Sequence, residues 1–325
     1  MKTLIIGFGS IGRKHFEALK GLGHEVAVLS KSCEKNEFNG QKFTLFRDFG
    51  QIPLDEFELF IIANITTSHF EMLLKIDKAV SGKTILVEKP IFEHFKPYKS
   101  KKNAIFVAYL LRFNPIIIAL KALLKEAKKS GEKPYFASFE CHSYLPKWRN
   151  LDYTKNYSAK KELGGGVALD LSHELDLACF LFKKPRLEFA QIAKISALKI
   201  NSDDFSFFAL QEKNNFKNSA NAQKNGIKKD FKGAKIHISL SYFSKFNSRQ
   251  ICIHSPKHSF RADLLNNFIE IYDEKGLKEK MEFKSDTIST LKALHTGILK
   301  RDKNLCSLKE SLRILKIIDK ARGLK

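Results

Sequence analysis

Three side chains of this sequence have the chemistry of proton transfer and stand beside residues that control backbone geometry. Lys89 lies in Glu-Lys-Pro directly after an apolar run, where the proline fixes the turn and holds the amine at a strand end. His173 follows Asp170 by three residues, and three consecutive glycines precede both. An imidazole or a partly desolvated amine exchanges protons near neutral pH. We therefore expect Lys89, His173 and Asp170 to be catalytic, with Asp170 orienting or tuning the histidine.

The chain opens with a glycine pattern that suits a phosphate ligand. Glycines at G-x-G-x-x-G spacing separate an apolar strand from an amphipathic helix predicted for residues 11–20. The first glycine permits a tight turn, the second lets backbone amides approach a pyrophosphate, and the third lets the helix pack closely. The helix N-terminus adds unpaired amides and a favourable dipole. The pattern predicts a dinucleotide-binding turn with contacts from Gly7, Gly9, Ser10, Ile11 and Gly12.

The end of the second predicted strand, residues 25–29, favours one dinucleotide. A carboxylate there would hydrogen-bond the ribose 2′-hydroxyl of NAD, whereas a basic or small polar residue tolerates the 2′-phosphate of NADP. The sequence has Ser30 and Lys31 at this point, and its first acidic residue is Glu34. We expect Ser30 and Lys31 to contact the ribose and NADP to be favoured over NAD.

Short apolar runs alternate with helical patterns through residues 1–115. This alternation predicts an N-terminal α/β domain, a Rossmann-type doubly wound parallel sheet whose ligand lies at the carboxyl ends of the strands. Polar residues in the loops at those ends are therefore predicted to contact the cofactor. They are Asn64, Thr66, His69, Glu88 and Lys89.

A different pattern follows a helix predicted for residues 116–129. Longer alternating stretches surround one helix, residues 168–182, and predict an α+β domain at 116–325 with an open, mainly antiparallel sheet. A last helix, residues 307–321, is expected to pack back on the first domain. The polar, low-complexity residues 212–235 predict a hairpin loop.

Aromatic and basic residues just before the triple glycine are expected to frame a substrate cleft. The single tryptophan, Trp148, could stack on a ring, and the neighbouring arginine could pair with a phosphate. The predicted substrate-binding residues are Arg112, Trp148, Arg149, Tyr157, Asp170 and His173.

Composition restricts the class of protein. A chain of 325 residues is long enough for two domains, and its formal charge of +22 attracts anions. The lysines are spread along the chain, which favours a solvated basic surface and an anionic small substrate. A non-enzymatic basic nucleic-acid-binding protein is the less favoured alternative.

Five scattered cysteines without C-x-x-C spacing predict reduced thiols and no metal. No apolar run spans a bilayer, and a strand opens the chain, so we expect a cytoplasmic protein that binds no membrane.

Taken together and in this order, the motifs resemble the glucose–fructose oxidoreductase, inositol dehydrogenase and MocA (Gfo/Idh/MocA) family. The segments concerned are Gly7 to His15, Glu88-Lys89-Pro90, Arg112 to Pro115 and the triple glycine with its Asp and His. The resemblance implies a Rossmann domain, a second domain with an open sheet, and hydride transfer between NAD(P) and a sugar carbon. It also implies a homodimer or homotetramer formed through that sheet. Lys89 and His173 resemble the family's active-site lysine and catalytic histidine.

Two readings of the reaction follow from this resemblance. The segment Leu-Ser-His-Glu-Leu-Asp resembles the corresponding segment of members that act on nucleotide-linked or phosphorylated amino sugars in surface-glycan or flagellin-glycan biosynthesis. The alternative is an NAD-retaining glycosidase of the same fold, which uses transient oxidation to eliminate a glycoside. The glycosidase releases free sugar without a net change in nicotinamide absorbance, and the oxidoreductase changes that absorbance.

Overall fold

The computed structural model describes residues 1–213 and 233–323, which divide into two units. The first unit consists of residues 1–114 and 285–319, and the second of residues 115–284 with the end of the chain from Lys320. Residues 285–306 therefore join the first unit, in addition to the C-terminal helix that the sequence indicated. Of the loop predicted at residues 212–235, positions 214–232 lie outside the described residues.

The strands, numbered in chain order, form two large sheets and one short hairpin. Their bounds are β1 Lys2–Ile6, β2 Glu25–Leu29, β3 Glu37–Phe38, β4 Gln41–Lys42, β5 Thr44–Phe46, β6 Leu59–Ile62, β7 Thr84–Val87, β8 Ala104–Val107, β9 Phe136–Tyr144, β10 Arg186–Ala193, β11 Phe205–Gln211, β12 Lys235–Ser241, β13 Phe243–His254, β14 Ser259–Asp263, β15 Phe268–Asp273, β16 Gly276–Glu282 and β17 Cys306–Ser307.

The helices are numbered in the same way. They are α1 Ser10–Lys20, α2 His69–Ala79, α3 Pro115–Lys129, α4 Val167–Asp170, α5 His173–Leu181, α6 Thr287–Lys300 and α7 Leu308–Ala321. Within the described residues, none of these helices combines the length and the apolar character needed to cross a membrane.

The sheet of the first unit has the strand order β5-β2-β1-β6-β7-β8-β17. All neighbouring pairs are parallel except β8 with β17. Successive strands are added on one side of β1 up to β5 and on its other side from β6 onward, which is the order of a Rossmann sheet, so the predicted fold of the N-terminal domain is confirmed. The loops after β1, β6 and β7 consequently emerge at one edge of the sheet, where ligands of such folds bind.

Helix α6 explains why residues 285–306 belong to the first unit. It packs against α1, and its side chains Leu291, Leu294 and Ile298 are buried in one core cluster with Phe16 and Leu19 of α1. An amphipathic helix of this kind must cover its apolar stripe, and the apolar side chains of α1 offer the matching surface.

The sheet of the second unit has the order β10-β11-β12-β9-β13-β14-β15-β16. Its neighbours are antiparallel except β12 with β9, which confirms the mainly antiparallel second sheet. Helices α4 and α5 pack on strands β9, β11 and β12. Strand β11 shows the resulting alternation, because Ser206, Phe208 and Leu210 are buried while Phe205 and Phe207 are half-buried. Assembly of copies through this sheet stays a prediction.

The single helix predicted for residues 168–182 is wrong. The chain forms α4 and α5 with Leu171 and Ser172 between them. At this break the amides of Ser172 and Glu174 bond carbonyls only three residues earlier, Leu169 and Leu171, which tightens the backbone and ends the regular helix. Asp170 and His173 therefore belong to two different helices.

Strand β10 ends at Ala193, because Asp204 draws the chain out of the sheet. The fully buried carboxylate of Asp204 accepts hydrogen bonds from the amides of Ile195 (2.8 Å) and Ser196 (3.2 Å) and pairs with the amine of Lys194 at 3.1 Å. Burial by itself would raise the pKa of Asp204, but these hydrogen bonds outweigh it and lower the pKa.

We expect Asp204→Ala to lower the free energy of unfolding by about 2–4 kcal/mol, since buried donors lose their acceptor. Because the pKa of Asp204 is lower in the folded state, its contribution is present above pH 3.8 and is lost on further acidification. Urea unfolding measures both effects. The control is Asp152→Ala, which removes an exposed carboxylate bonded to the Thr154 amide at 3.0 Å and should lower the free energy of unfolding by clearly less. Equal losses in the two variants would contradict this account.

Candidate active site

The turn after β1 is built from close backbone contacts that only glycine permits. Gly7 has φ +94°, and a Cβ there would lie 2.7 Å from the amide nitrogen of Asn64 and 2.8 Å from the carbonyl of Ala63. A Cβ on Gly12 would lie 2.2 Å from the carbonyl oxygen of Gly7. At Gly9, by contrast, a Cβ would meet nothing within 4 Å. Two of the three glycines thus serve contacts within the protein, and Gly9 faces open space.

The residues that follow fit the pyrophosphate of a dinucleotide. Helix α1 begins at Ser10, no side chain caps its N-terminus, and its first turn holds no acidic residue. The amides of Ser10, Ile11 and Gly12 therefore keep the donor capacity and the positive end of the helix dipole that an anion requires. Ser10 and Gly9 are exposed, so this end is accessible.

The end of β2 forms a small polar turn whose shape depends on an arginine. Ser30 Oγ accepts the amide of Cys33 at 3.2 Å, and Lys31 is exposed beside it. Arg47 donates to the carbonyl oxygens of Ser30 and Lys31, both at 3.2 Å. The sequence reasoning missed Arg47, because only the adjacency of β5 and β2 in the sheet brings it to this turn.

The loop after β6 is joined to the loop after β7 through His69, which is 1% exposed. Its Nε2 lies 3.1 Å from the carbonyl oxygen of Asn64, and its Nδ1 lies 3.1 Å from that of Pro90. Burial lowers the pKa of His69, although the backbone oxygens act in the opposite direction. The side chain connects two loops in the interior, while Asn64 and Thr66 are half-buried. Direct contact of these three residues with a cofactor stays a prediction.

Lys89 stands directly after Glu88, where β7 ends, at the same edge of the sheet as the glycine turn. Glu88 is buried, and one of its carboxylate oxygens accepts the backbone amide of Lys89 at 3.1 Å. Lys89 itself is half-buried. The first unit therefore presents the amine of Lys89 from a turn that the side chain of Glu88 holds in place.

The triple glycine of the second unit serves close approach within the chain. A Cβ on Gly165 would lie 2.2 Å from the carbonyl oxygen of Tyr157, and one on Gly166 would lie 2.4 Å from the carboxylate of Asp203. That carboxylate accepts the amide of Ala168 at 2.9 Å and so caps α4. Asp203 is a second residue that the sequence reasoning missed, 35 positions from its partner.

Asp170, at the end of α4, is held by tyrosine. The hydroxyl of Tyr242 donates to Asp170 at 2.5 Å, and both side chains are buried. The pKa of Tyr242 is raised mainly by burial and also by the charge of Asp170. The pKa of Tyr157 is raised mainly by the charge of Asp170 and also by burial. Both tyrosines therefore stay protonated near neutral pH and act as donors. His173, at the start of α5, is 8% exposed.

Beside Tyr157 lies a cavity of about 410 Å³. Two of the predicted substrate residues, Arg149 and Tyr157, line it, and the guanidinium of Arg149 stands 5.8 Å from the centre of the Tyr157 ring. Trp148 packs edge-on against Tyr242 with ring centres 5.1 Å apart. The other lining residues are Leu145, Leu151, Asp152, Tyr153, Lys155 and Asn156.

Two arginines complete the account of the predicted substrate residues. Arg112 is 1% exposed and donates to Glu310 of α7 at 3.1 Å, within the first unit. Its place in the fold is thus explained by this ion pair, and a contact with substrate stays a prediction. Arg249 of β13, which the sequence reasoning missed, donates to the buried Glu174 beside His173 at 2.7 Å.

No group of three or more His, Cys, Asp or Glu side chains among residues 1–213 and 233–323 could hold a metal ion.

The steric difference between Gly9 and Gly12 leads to a paired prediction. We expect Gly9→Ala to fold like the parent protein and to bind NAD(P)H at least about tenfold more weakly, because its methyl group projects where the pyrophosphate would approach. We expect Gly12→Ala to lose stability, because its methyl group overlaps the backbone at Gly7. Thermal unfolding and fluorescence titration with NADPH measure the two effects. A Gly9→Ala protein with unchanged cofactor affinity would remove this turn from the binding site.

Residues 1–105 match the model of an oxidoreductase family, GFO_IDH_MocA, described by its NAD-binding Rossmann fold. A comparison with curated protein sequences finds no match. The match covers β1 to β7 and the start of β8, which includes the glycine turn, the end of β2 and the Glu88-Lys89 turn.

Solved structures resemble the whole chain in fold. UDP-N-acetylglucosamine 3-dehydrogenase GnnA from Acidithiobacillus ferrooxidans has a TM-score of 0.71 at 19% identity, over 99% of this chain and 97% of that one. The WlbA dehydrogenase from Bordetella pertussis, in complex with NADH and UDP-GlcNAcA, has a TM-score of 0.71 at 16% identity, over 99% and 96%. Levoglucosan dehydrogenase, in complex with NADH and L-sorbose, has a TM-score of 0.76 at 14% identity, over 99% and 97%.

At these identities the structural likeness establishes a shared fold, and the family model matches residues 1–105 alone. The geometry of the matched part agrees with the assignment, since its glycine turn and the uncapped helix after it suit a dinucleotide. Residues 1–105 are thus similar to the NAD-binding Rossmann fold of the Gfo/Idh/MocA oxidoreductases.

Proposed function

We propose that this protein transfers hydride between NADP and a hydroxyl-bearing carbon of a sugar, in particular a nucleotide-linked or phosphorylated amino sugar. The observation that carries the proposal is the edge of the Rossmann sheet. There the open glycine turn after β1 and the half-buried amine of Lys89 after β7 belong to one rigid sheet. The glycine turn would hold a dinucleotide whose nicotinamide would supply hydride transfer near the strand ends, and Lys89 stands at that edge as a proton-transfer group.

Proton transfer is the task of this chain's own residues. When bound, the nicotinamide accepts the hydride from the carbon or returns it. Oxidation of a C–OH group also releases the hydroxyl proton, and a side chain must take it up as the C=O bond forms. Tyr157 and Tyr242 are poor bases, because Asp170 and burial raise the pKa of each hydroxyl. We assign the proton to His173 or Lys89.

Asp170 has a supporting part in this proposal. Its carboxylate accepts the hydroxyl of Tyr242, and its charge acts on Tyr157. A carboxylate fixed by donors in this way keeps its position, and a carboxylate charge favours the protonated form of a nearby base. Trp148 supports the same arrangement through its contact with Tyr242.

The cavity beside Tyr157 supports an anionic sugar derivative as substrate. Its volume of about 410 Å³ is within the range of small-molecule sites. Arg149 and Lys155 bring positive charge to its wall, and Tyr153 and Tyr157 bring aromatic rings. A guanidinium pairs well with phosphate, and a phenol ring suits a sugar or base. GnnA is a UDP-N-acetylglucosamine 3-dehydrogenase and WlbA was solved with UDP-GlcNAcA, which agrees with this substrate class.

The cofactor preference is proposed from the end of β2. The two serine hydroxyls of this turn, Ser30 and Ser32, lie 3.4 Å apart, and Lys31 is exposed between them. Arg47 stabilises the turn through the carbonyls of Ser30 and Lys31. Hydroxyl donors and an amine suit a 2′-phosphate, and the turn has no carboxylate to receive the 2′-hydroxyl of NAD.

The first test is turnover. Purified protein is mixed with NADP or NAD and a panel of free, phosphorylated and UDP-linked hexoses and N-acetylhexosamines, and nicotinamide absorbance is followed in both directions. We expect a change with a UDP-linked or phosphorylated amino sugar, and Lys89→Met should slow it at least about a hundredfold with cofactor affinity nearly unchanged. Lys83→Met is the matched control, because Lys83 precedes the other end of β7 and donates to the Asp55 carbonyl.

Normal turnover by Lys89→Met would remove Lys89 from the mechanism. Release of free sugar from a glycoside without a net absorbance change would overturn the oxidoreductase proposal and support the glycosidase. Lack of any reaction with sugars, together with salt-sensitive binding of nucleic acid that does not depend on Lys89, would overturn both.

The second test is cofactor choice. We expect NADPH to bind at least about tenfold more tightly than NADH, and Lys31→Ala to remove most of that difference by weakening NADPH alone, as loss of a charge-assisted contact implies. Titration of the protein's fluorescence measures both dissociation constants. Lys35→Ala, which removes another exposed lysine close to the turn, should leave both values unchanged. Equal affinity of the parent protein for the two cofactors would refute the preference.

A further inference from the structure

Two histidines and a glutamate form a chain of hydrogen bonds inside the first unit. His15 of α1 lies between His295 of α6 and Glu88 at the end of β7. Its Nδ1 is 2.9 Å from Nε2 of His295, and its Nε2 is 2.8 Å from Oε1 of Glu88. Both histidines are fully buried, and Glu88 is 6% exposed. Three elements far apart in sequence thus meet at one polar chain in an apolar interior.

The donors and acceptors of this chain can be assigned from its ends. A carboxylate only accepts, so His15 presents Nε2–H to Glu88. In a neutral His15 the other nitrogen, Nδ1, is then an acceptor and receives Nε2–H of His295. Burial keeps His295 neutral by lowering its pKa, and its Nδ1 has no hydrogen-bond partner among the described residues. A bare nitrogen is the form in which that atom loses least, since it carries no proton to satisfy.

This chain of hydrogen bonds ends at the backbone of Lys89. The oxygen of Glu88 that does not face His15 accepts the Lys89 amide at 3.1 Å. On the far side of the turn, His69 lies within hydrogen-bond distance of the carbonyl oxygens of Pro90 and Ile91, at 3.1 and 3.2 Å. The segment that carries the amine is therefore held from both sides by buried imidazoles, one acting directly and one through Glu88.

We infer that His15 and His295 are positioning residues for Lys89, acting through Glu88. With His15 in place, Glu88 has one orientation and Lys89 starts from a fixed backbone position at the strand edge. Without the donor on His15, the carboxylate would be buried with one oxygen unsatisfied, and it would turn toward solvent and release the Lys89 amide. The inference rests on the proposed function for the role of Lys89 and goes beyond it in naming what aligns that residue.

A purely structural role for His15 makes a different prediction. In that case any substitution would reduce stability and leave the Lys89 turn unchanged in the molecules that remain folded. His24 is the matched reference, because it is buried in the same unit and its Nδ1 lies 3.2 Å from the Thr3 hydroxyl, away from the chain to Glu88. His15→Met and His24→Met remove the same groups from the two sites. His15→Gln keeps a donor for Glu88 and an acceptor for His295.

The first measurement follows the Lys89 amide itself and needs no substrate. In protein labelled with ¹⁵N-lysine, its signal is identified by its absence in Lys89→Arg, and its hydrogen exchange is measured. We expect exchange to be at least about tenfold faster in His15→Met, as for loss of a charge-assisted hydrogen bond, and near the parent rate in His15→Gln and His24→Met. Equal exchange in His15→Met and His24→Met would overturn the inference. If His15→Met does not fold, His15→Asn replaces it. Asparagine carries the same amide group as glutamine on a side chain that is one methylene shorter.

The second measurement uses turnover with the sugar identified by the panel. We expect kcat of His15→Met to fall about 10- to 100-fold, the scale of a small misplacement of a catalytic group, with KM nearly unchanged and recovery in His15→Gln. A matching fall in His24→Met would indicate a general loss of order and overturn the inference. The two proposals fail separately. Normal turnover by Lys89→Met refutes the role of Lys89, whereas an unchanged Lys89 amide in His15→Met refutes only the positioning.

Discussion

The first unit depends on the contact between the glycine turn and its neighbours. The backbone at Gly7 lies against Ala63 and Asn64, and α1 lies against Gly7 at Gly12, in each case closer than any side chain would allow. These contacts bring the end of β1, the end of β6 and the start of α1 to one place. The unpaired amides of α1 and the loop that begins at Asn64 take their positions from it. A bulkier residue at either glycine would shift both together.

The second unit uses the same constraint in another setting. Gly165 and Gly166 let the chain pass close to the carbonyl of Tyr157 and the carboxylate of Asp203. The approach of Asp203 caps α4, whose last residue, Asp170, is bonded to Tyr242. Tyr157, the residue next to the glycine contact, also lines the cavity with Arg149. Glycine therefore acts here by allowing polar groups of distant segments to meet, and the ligand-facing groups follow from those meetings.

Buried polar groups in both units are arranged as chains with assigned donors and acceptors. Asp204 and Glu88 each receive backbone amides, and Asp170 receives a hydroxyl. A buried carboxylate without such donors would be costly, so each of these residues has one stable orientation. This is why a protein with a strongly basic composition can place a few negative charges accurately in its interior.

The sequence alone determined the elements with strong local patterns. The apolar runs of β1, β2, β6 and β7, the glycine spacing and the helix that follows are set by neighbouring residues, and the order of strands and helices indicates the Rossmann sheet. The same motifs, in their order, were enough to indicate the family whose model residues 1–105 match. For the candidate site, the sequence indicated Lys89, Asp170 and His173 by the proline and glycines around them.

Only the tertiary structure decided which distant side chains meet. Arg47 reaches the end of β2 because β5 pairs with β2, and Tyr242 reaches Asp170 across 72 residues. His15 meets His295 across 280 residues, a contact that no local pattern encodes. The break between α4 and α5 likewise follows from hydrogen bonds that tighten one turn, in a segment whose apolar spacing suits a continuous helix. Spacing along a chain predicts periodic elements, whereas contacts between elements depend on how the whole core packs, and that information is spread over the entire sequence.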